Sequence, residues 1–247
     1  MAGSCQRRIA ISSAGSDCQA EQAASDGLIA ANTVLREYFE ALGAAANESS
    51  FRADDGIEAL AGSIGAIPGV NADHVAAASG LATFLSRLET ERLRERTLRQ
   101  LIDQGAPPAS DVVTMMDEVL VTRLTRLLGD EERVLRGAFV QWLQDERFEN
   151  FALITAYCAQ PTPGFFGRET DGPSYLLVEA YCQRAGVIAA RREAIDEYQK
   201  SLAIARDALD TLQSSRVKLS GKQLAANLYR IGSDLDDQIK AVRKAFG

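Results

Sequence analysis

Apolar residues recur at intervals of three and four along most of the chain, the spacing of helices that bury one face. Leu28, Ala31, Leu35, Tyr38, Phe39 and Leu42 predict a first helix, and the pattern weakens from Gly43 to Ser50. Asp54 is placed to cap a short helix running to Ile67, where Pro68-Gly69 forces a break. Asn71 caps the next, whose stripe is Val75, Ala78, Leu81, Leu85 and Leu88, extending towards Ile102. Gly105, Pro107 and Pro108 predict its end. A further helix starts at Ser110 or Asp111 with Val113, Met116, Leu120, Leu124 and Leu127 inward. Gly129-Asp130 punctuates before Glu131 to Arg147, where Val134, Leu135, Ala138 and Trp142 are expected to face the core, and Phe148 to Ala159 reads as another helix.

The segment 160–173, with three prolines and three glycines, is predicted as the one long loop. Beyond it Ile188, Ile195, Tyr198, Leu202, Ala205, Leu209 and Leu212 step by sevens, threes and fours. After a break near Ser214 to Gly221 the rhythm returns in Leu224, Leu228, Ile231, Leu235, Ile239, Val242 and Phe246. Two heptad-like helices joined by a short turn should fold back on each other. No alternating strand pattern occurs. The expected class is all-α: an elongated antiparallel helical bundle with a long C-terminal helical hairpin. Residues 1–27 are expected to form a flexible tether and 28–247 a single bundle domain, with a candidate subdivision at loop 160–173.

Composition is that of an ordinary globular protein, 46% hydrophobic and 25% charged over 247 residues. The formal net charge of −7 makes nucleic acid a poor partner, since phosphate binding needs clustered cations. The arginines between Arg87 and Arg99 alternate with Glu89, Glu91 and Glu95, which describes a solvated helix face. No apolar run is long enough for a transmembrane helix, and no apolar signal core follows Met1. Arginine outnumbers lysine, every lysine lies from Lys200 onward, and alanine is abundant; this composition suggests a GC-rich bacterial source.

Candidate chemistry is sparse. His74 is the only histidine, so zinc sites with two or three histidines and a ferritin-like pair of Glu-x-x-His motifs are excluded. The carboxylate pairs Asp54-Asp55, Glu131-Glu132 and Asp236-Asp237 are adjacent in sequence, and neighbours on a helix point apart. Neither a phosphate-binding glycine loop nor a nucleophile elbow is present. Met115-Met116 and Trp142 read as core. The sequence therefore assigns no catalytic residue, no cofactor and no metal.

Four cysteines lack C-x-x-C spacing. Cys158 and Cys182 flank the predicted loop and are candidates either for a disulfide or for two buried thiols. The same loop holds Phe165, Phe166 and Arg168, adjacent aromatics that either contact a partner or plug the bundle end. Ala2-Gly3-Ser4-Cys5 resembles the small residues around the lipidated cysteine of bacterial lipoproteins, with a low-complexity tether behind it. That resemblance implies a lipid anchor on Cys5 and a periplasmic or membrane-anchored location; without the anchor the chain is cytoplasmic.

The leading expectation is a non-catalytic helical module of the bacterial cell envelope, presenting a surface to a protein partner. One alternative is a soluble bundle binding an apolar small molecule or lipid in its core. Another is an enzyme that uses carboxylates alone, assisted by a divalent metal. Heptad stripes close an intrachain hairpin as readily as a dimer, so oligomeric state is left open.

Overall fold

The computed structural model describes residues 19–47, 49–54, 56–67, 69–88, 95–145, 151–159, 172–214 and 221–246. Among these every regular element is helical, so the fold is all-α, and no helix is long and apolar enough to cross a membrane. In chain order the helices are α1 (Gln19–Ala46), α2 (Ile57–Ser63), α3 (Ala72–Ser86), α4 (Glu95–Gln100), α5 (Ala106–Val119), α6 (Arg126–Asp145), α7 (Phe151–Ala159), α8 (Gly172–Ser214) and α9 (Gly221–Phe246). A 3₁₀ turn, Ile64–Ala66, extends α2. The chain divides into two compact units, one of residues 1–121 and 196–247, the other Thr122–Ile195.

In the first unit α1 is the hub. It packs against α2, α3, α5 and α9. Ala30, Ala31, Val34, Leu35, Tyr38, Phe39, Ala41 and Leu42 are wholly buried. Its less buried stripe runs through Ala23, Asp26, Ile29, Thr33, Arg36, Glu40 and Ala44, of which Asp26 is exposed and the others half-buried. A helix apolar on nearly all sides belongs in the middle of a bundle. The last part of α8, from Asp196, packs on α9 as an antiparallel hairpin. The buried residues of the pair are Tyr198, Leu202, Ala205, Leu209 and Leu212 on one helix and Ile231, Leu235, Ile239 and Val242 on the other. The spacing of three and four predicted these buried positions.

Two local expectations differ from the structure and a third holds. The start of α1 reaches back to Gln19, with Ala24 and Ser25 already buried, so 19–27 is helix where a tether was expected. Asp54 does not cap α2; Gly56 does, at φ 94°, without a side-chain hydrogen bond, and Asp54 instead reaches Arg36 at 3.0 Å. Asn71 does cap α3, its Oδ1 accepting the His74 amide at 2.8 Å.

The largest difference concerns Gly105, Pro107, Pro108 and Gly129. Helical backbone runs from Glu95 to Asp145 without a stop, through π-helical turns at Leu101–Gly105 and Leu120–Thr125. A proline inside a helix loses one hydrogen bond and crowds a carbonyl one turn back. The wider π turn just before Pro107 and Pro108 relieves that crowding, and the prolines fall in the first turn of α5. The Tyr38 hydroxyl donates to the Leu101 carbonyl at 3.1 Å. Gly129 only weakens a helix by about 1 kcal/mol relative to Ala, which packing overrides. For the same reason the boundary between units falls at Thr122 and Ile195 instead of within 160–173: the chain passes from one unit to the other as helix, which leaves no proline or glycine mark.

Gly105 allows a close approach that any Cβ would block. A methyl there would sit 2.5 Å from Tyr38 Cε2 and 3.4 Å from Phe84 Cε1. Gly105→Ala is expected to lower stability by about 1–3 kcal/mol, read as a lower denaturant midpoint at constant m. Gly129→Ala has open space around it. It should instead raise stability by about 0.5–1 kcal/mol in the same assay.

Candidate functional site

The second unit, Thr122–Ile195, contains α6, α7 and the first part of α8. Its core cluster is small: Phe139, Leu143, Ile154, Tyr157 and Val178, with Trp142, Cys158, Tyr181 and Cys182 packed against it. Phe139 stacks on Tyr181 at 4.1 Å between ring centres, and Trp142 lies 5.5 Å from Phe139. Val134 is 61% exposed and Ala138 is also on the wet side, contrary to the inward phase expected for them. The buried phase runs through Leu128, Phe139 and Leu143. The shift follows from the unbroken helix, because Gly129 does not restart its phase and the stripe continues from Leu124.

That stripe places Glu131 on the inner face, and the stripe of α8 places Arg191 there, between Ile188 and Ile195. Arg191 is 3% exposed and its Nη1 lies 3.4 Å from Glu131 Oε2. Arg184 binds the other oxygen of the same carboxylate, and Arg192 donates to Glu132 at 2.7 Å. Glu131 and Glu132 therefore cross-link α6 to α8. Opposite charges at facing core positions fix the pairing of two helices, since an unpaired buried charge costs about 3–5 kcal/mol. The sequence carried a usable signal for this, a charged residue occupying a heptad slot on each of two helices.

A disulfide and a side-chain hydrogen bond link α7 to α8. Cys158 and Cys182 form a disulfide with Cα atoms 4.9 Å apart. The Tyr157 hydroxyl donates to the Tyr175 hydroxyl at 2.8 Å. That hydrogen bond, with burial second, pushes the Tyr157 phenol up to about 12. The cysteines are 24 residues apart in sequence. A ring of that size contributes about 3 kcal/mol in the chain-entropy picture. The candidate contact residues Phe165, Phe166 and Arg168 belong to this covalent ring but lie outside the described residues, as does Cys5. On the described part of α8, Tyr175 (41%), Leu176 (65%), Leu177 (44%) and Val187 (39%) are apolar and exposed.

Polar groups buried in the first unit escaped the sequence reading. Glu37 is 2% exposed and accepts from Arg36 Nη2 at 2.8 Å; the same nitrogen reaches Asp54, and Arg36 Nε lies 3.6 Å from Glu40. Burial first, then Asp54 and Glu40, raise the Glu37 carboxyl above the ordinary range against the opposing pull of Arg36. Asn32 is 2% exposed and its Oδ1 accepts the Tyr198 hydroxyl at 2.9 Å. Burial lifts the phenols of both Tyr38 and Tyr198 well above the normal value. His74 Nε2 lies 3.7 Å from Glu118, and Asp236 and Asp237 both face Lys240. Among the described residues no three His, Cys, Asp or Glu side chains converge as metal ligands.

The class defined by these features is an all-helical, disulfide-linked protein in two compact units. No protein-family model, no curated protein and no solved structure matches the chain.

A raised Glu37 pKa fixes a sign. The folded state holds the proton more tightly than the unfolded chain, so this stabilisation is complete below the unfolded carboxylate value and is lost as pH rises through the raised one. Glu37→Gln mimics the protonated form. It is expected to exceed the parent protein in stability at about pH 7, with the gap closing towards about pH 4, in denaturant titrations across that range. A parent protein whose advantage over the variant grows with pH would refute the assignment.

Proposed function

We propose that this chain is a non-catalytic interaction module of a bacterial cell envelope, held there by a lipid on Cys5. The observation that carries this reading is the Cys158–Cys182 disulfide. Such bonds persist in oxidising compartments and are rare where thiol buffers operate. The lipoprotein-like Ala2-Gly3-Ser4-Cys5 supports a membrane tether in the same compartment. The partner-facing side is the second unit, where the exposed Tyr175, Leu176 and Leu177 belong to the same disulfide-closed ring as Phe165, Phe166 and Arg168. Apolar side chains next to an arginine suit a protein surface better than a polyanion, which a chain of net charge −7 repels.

The test is the intact mass of the full-length protein from the membrane fraction of its own host, with and without reductant. The expected result is a chain beginning at an acylated Cys5 that gains two hydrogen masses on reduction. An unacylated chain in the soluble fraction with all four thiols free would overturn the proposal.

A further inference from the structure

We propose that the Cys158–Cys182 disulfide is a reversible folding switch for Thr122–Ile195, and that reducing it releases α7 and opens the core of this unit while leaving the first unit folded. This inference draws on the envelope reading only for its biological use; its test gives the same answer whether or not Cys5 carries a lipid.

The helix α7 is short and is joined to α8 by a covalent link beside a small core. It has nine residues. Isolated helices shorter than about 12–15 residues are marginal in water, so its helicity depends on tertiary contacts. Those contacts include Ile154 and Tyr157 in the small cluster, the Tyr157–Tyr175 hydrogen bond and the disulfide. Tyr175 is 41% exposed, so water competes for that hydrogen bond. The first unit is built differently, since α1 is buried along its length by noncovalent contacts and the described part of that unit contains no disulfide. Both half-buried sulfurs belong to the second unit, so loss of the bond acts there first.

The switch is ordinary thiol–disulfide exchange with a dithiol as reductant. A dithiol thiolate attacks the Sγ of one cysteine, the S–S bond breaks, and the other cysteine leaves as a thiolate that takes up a proton. The second thiol of the reductant then resolves the mixed disulfide. Two electrons and two protons pass to the protein, giving two cysteine thiols, and the dithiol becomes a cyclic disulfide. An oxidised thiol of the surroundings reverses the reaction. On reduction Ile154, Tyr157, Val178 and the ring stack of Phe139 and Tyr181 lose their cover.

Trp142 is the only tryptophan in the chain and packs on this cluster, so it reports locally. The experiment uses the full chain, oxidised, then reduced with dithiothreitol, then reoxidised, followed by Trp142 emission and by amide hydrogen exchange read by peptide. Expected on reduction are a red shift of the emission and about 100-fold faster exchange in Phe151–Ala159 and around Phe139–Leu143, with α1 and α9 unchanged and both effects undone by reoxidation. The double variant C158A/C182A should show the same fast exchange without reductant, which assigns the effect to this bond. Unchanged exchange in α7 after complete reduction would overturn the proposal, and so would loss of protection spread equally over both units.

Discussion

A helix buried on almost every side must find a partner for each polar atom it carries, and α1 is such a helix. Its backbone satisfies itself, but Asn32, Glu37 and Tyr38 bring side-chain polar atoms into the core. Leaving any of them unpaired costs about 1–3 kcal/mol. Much of the first unit can be read as the answer to that demand. Tyr198 donates to Asn32 and so aligns α8 with α1. The Leu101 carbonyl accepts the Tyr38 hydroxyl beside a π turn. Glu37 leans on the neighbouring Arg36, whose guanidinium also holds Asp54 in the segment leading to α2.

Some glycines of this unit serve the same crowding. Gly105 lies under the Tyr38 ring, and Gly232 of α9 lies where a Cβ would come within 2.9 Å of Phe39. These are close approaches of backbone to aromatic side chains, and the residues are helical, so space and not backbone freedom explains them. The two prolines after Gly105 belong to the same local arrangement, since the π turn that eases them is also the place where Tyr38 finds its acceptor.

The second unit meets the opposite problem, too little core instead of too many polar groups within it. Its cluster of Phe139, Leu143, Ile154, Tyr157 and Val178 is supplemented by a disulfide, by the Glu131 carboxylate shared between Arg184 and Arg191, and by the Glu132–Arg192 pair. Small cores commonly recruit covalent links of this kind. A charged pair at core positions discriminates between helix registers more than it stabilises any one of them. The disulfide adds closure, and it ties the stability of α7 to redox conditions.

The sequence by itself determined that this chain is helical, which positions of the C-terminal hairpin are buried, and that Asn71 starts a helix. Those properties follow from local periodicity and capping, which depend on residues within one or two turns. It also excluded metal sites that need two or more histidines of this chain, because His74 is the only one. Tertiary structure alone decided that Gly105, Pro107, Pro108 and Gly129 sit inside helical backbone, that Val134 faces out, that Asp54 serves Arg36, and that the units part at Thr122 and Ile195. In each case the local preference is worth a kilocalorie or so for a glycine or a cap, or is relieved by a π turn for the prolines. The packing of α1, and the pairing of Glu131 with Arg191, involve residues far apart in the chain and together outweigh it.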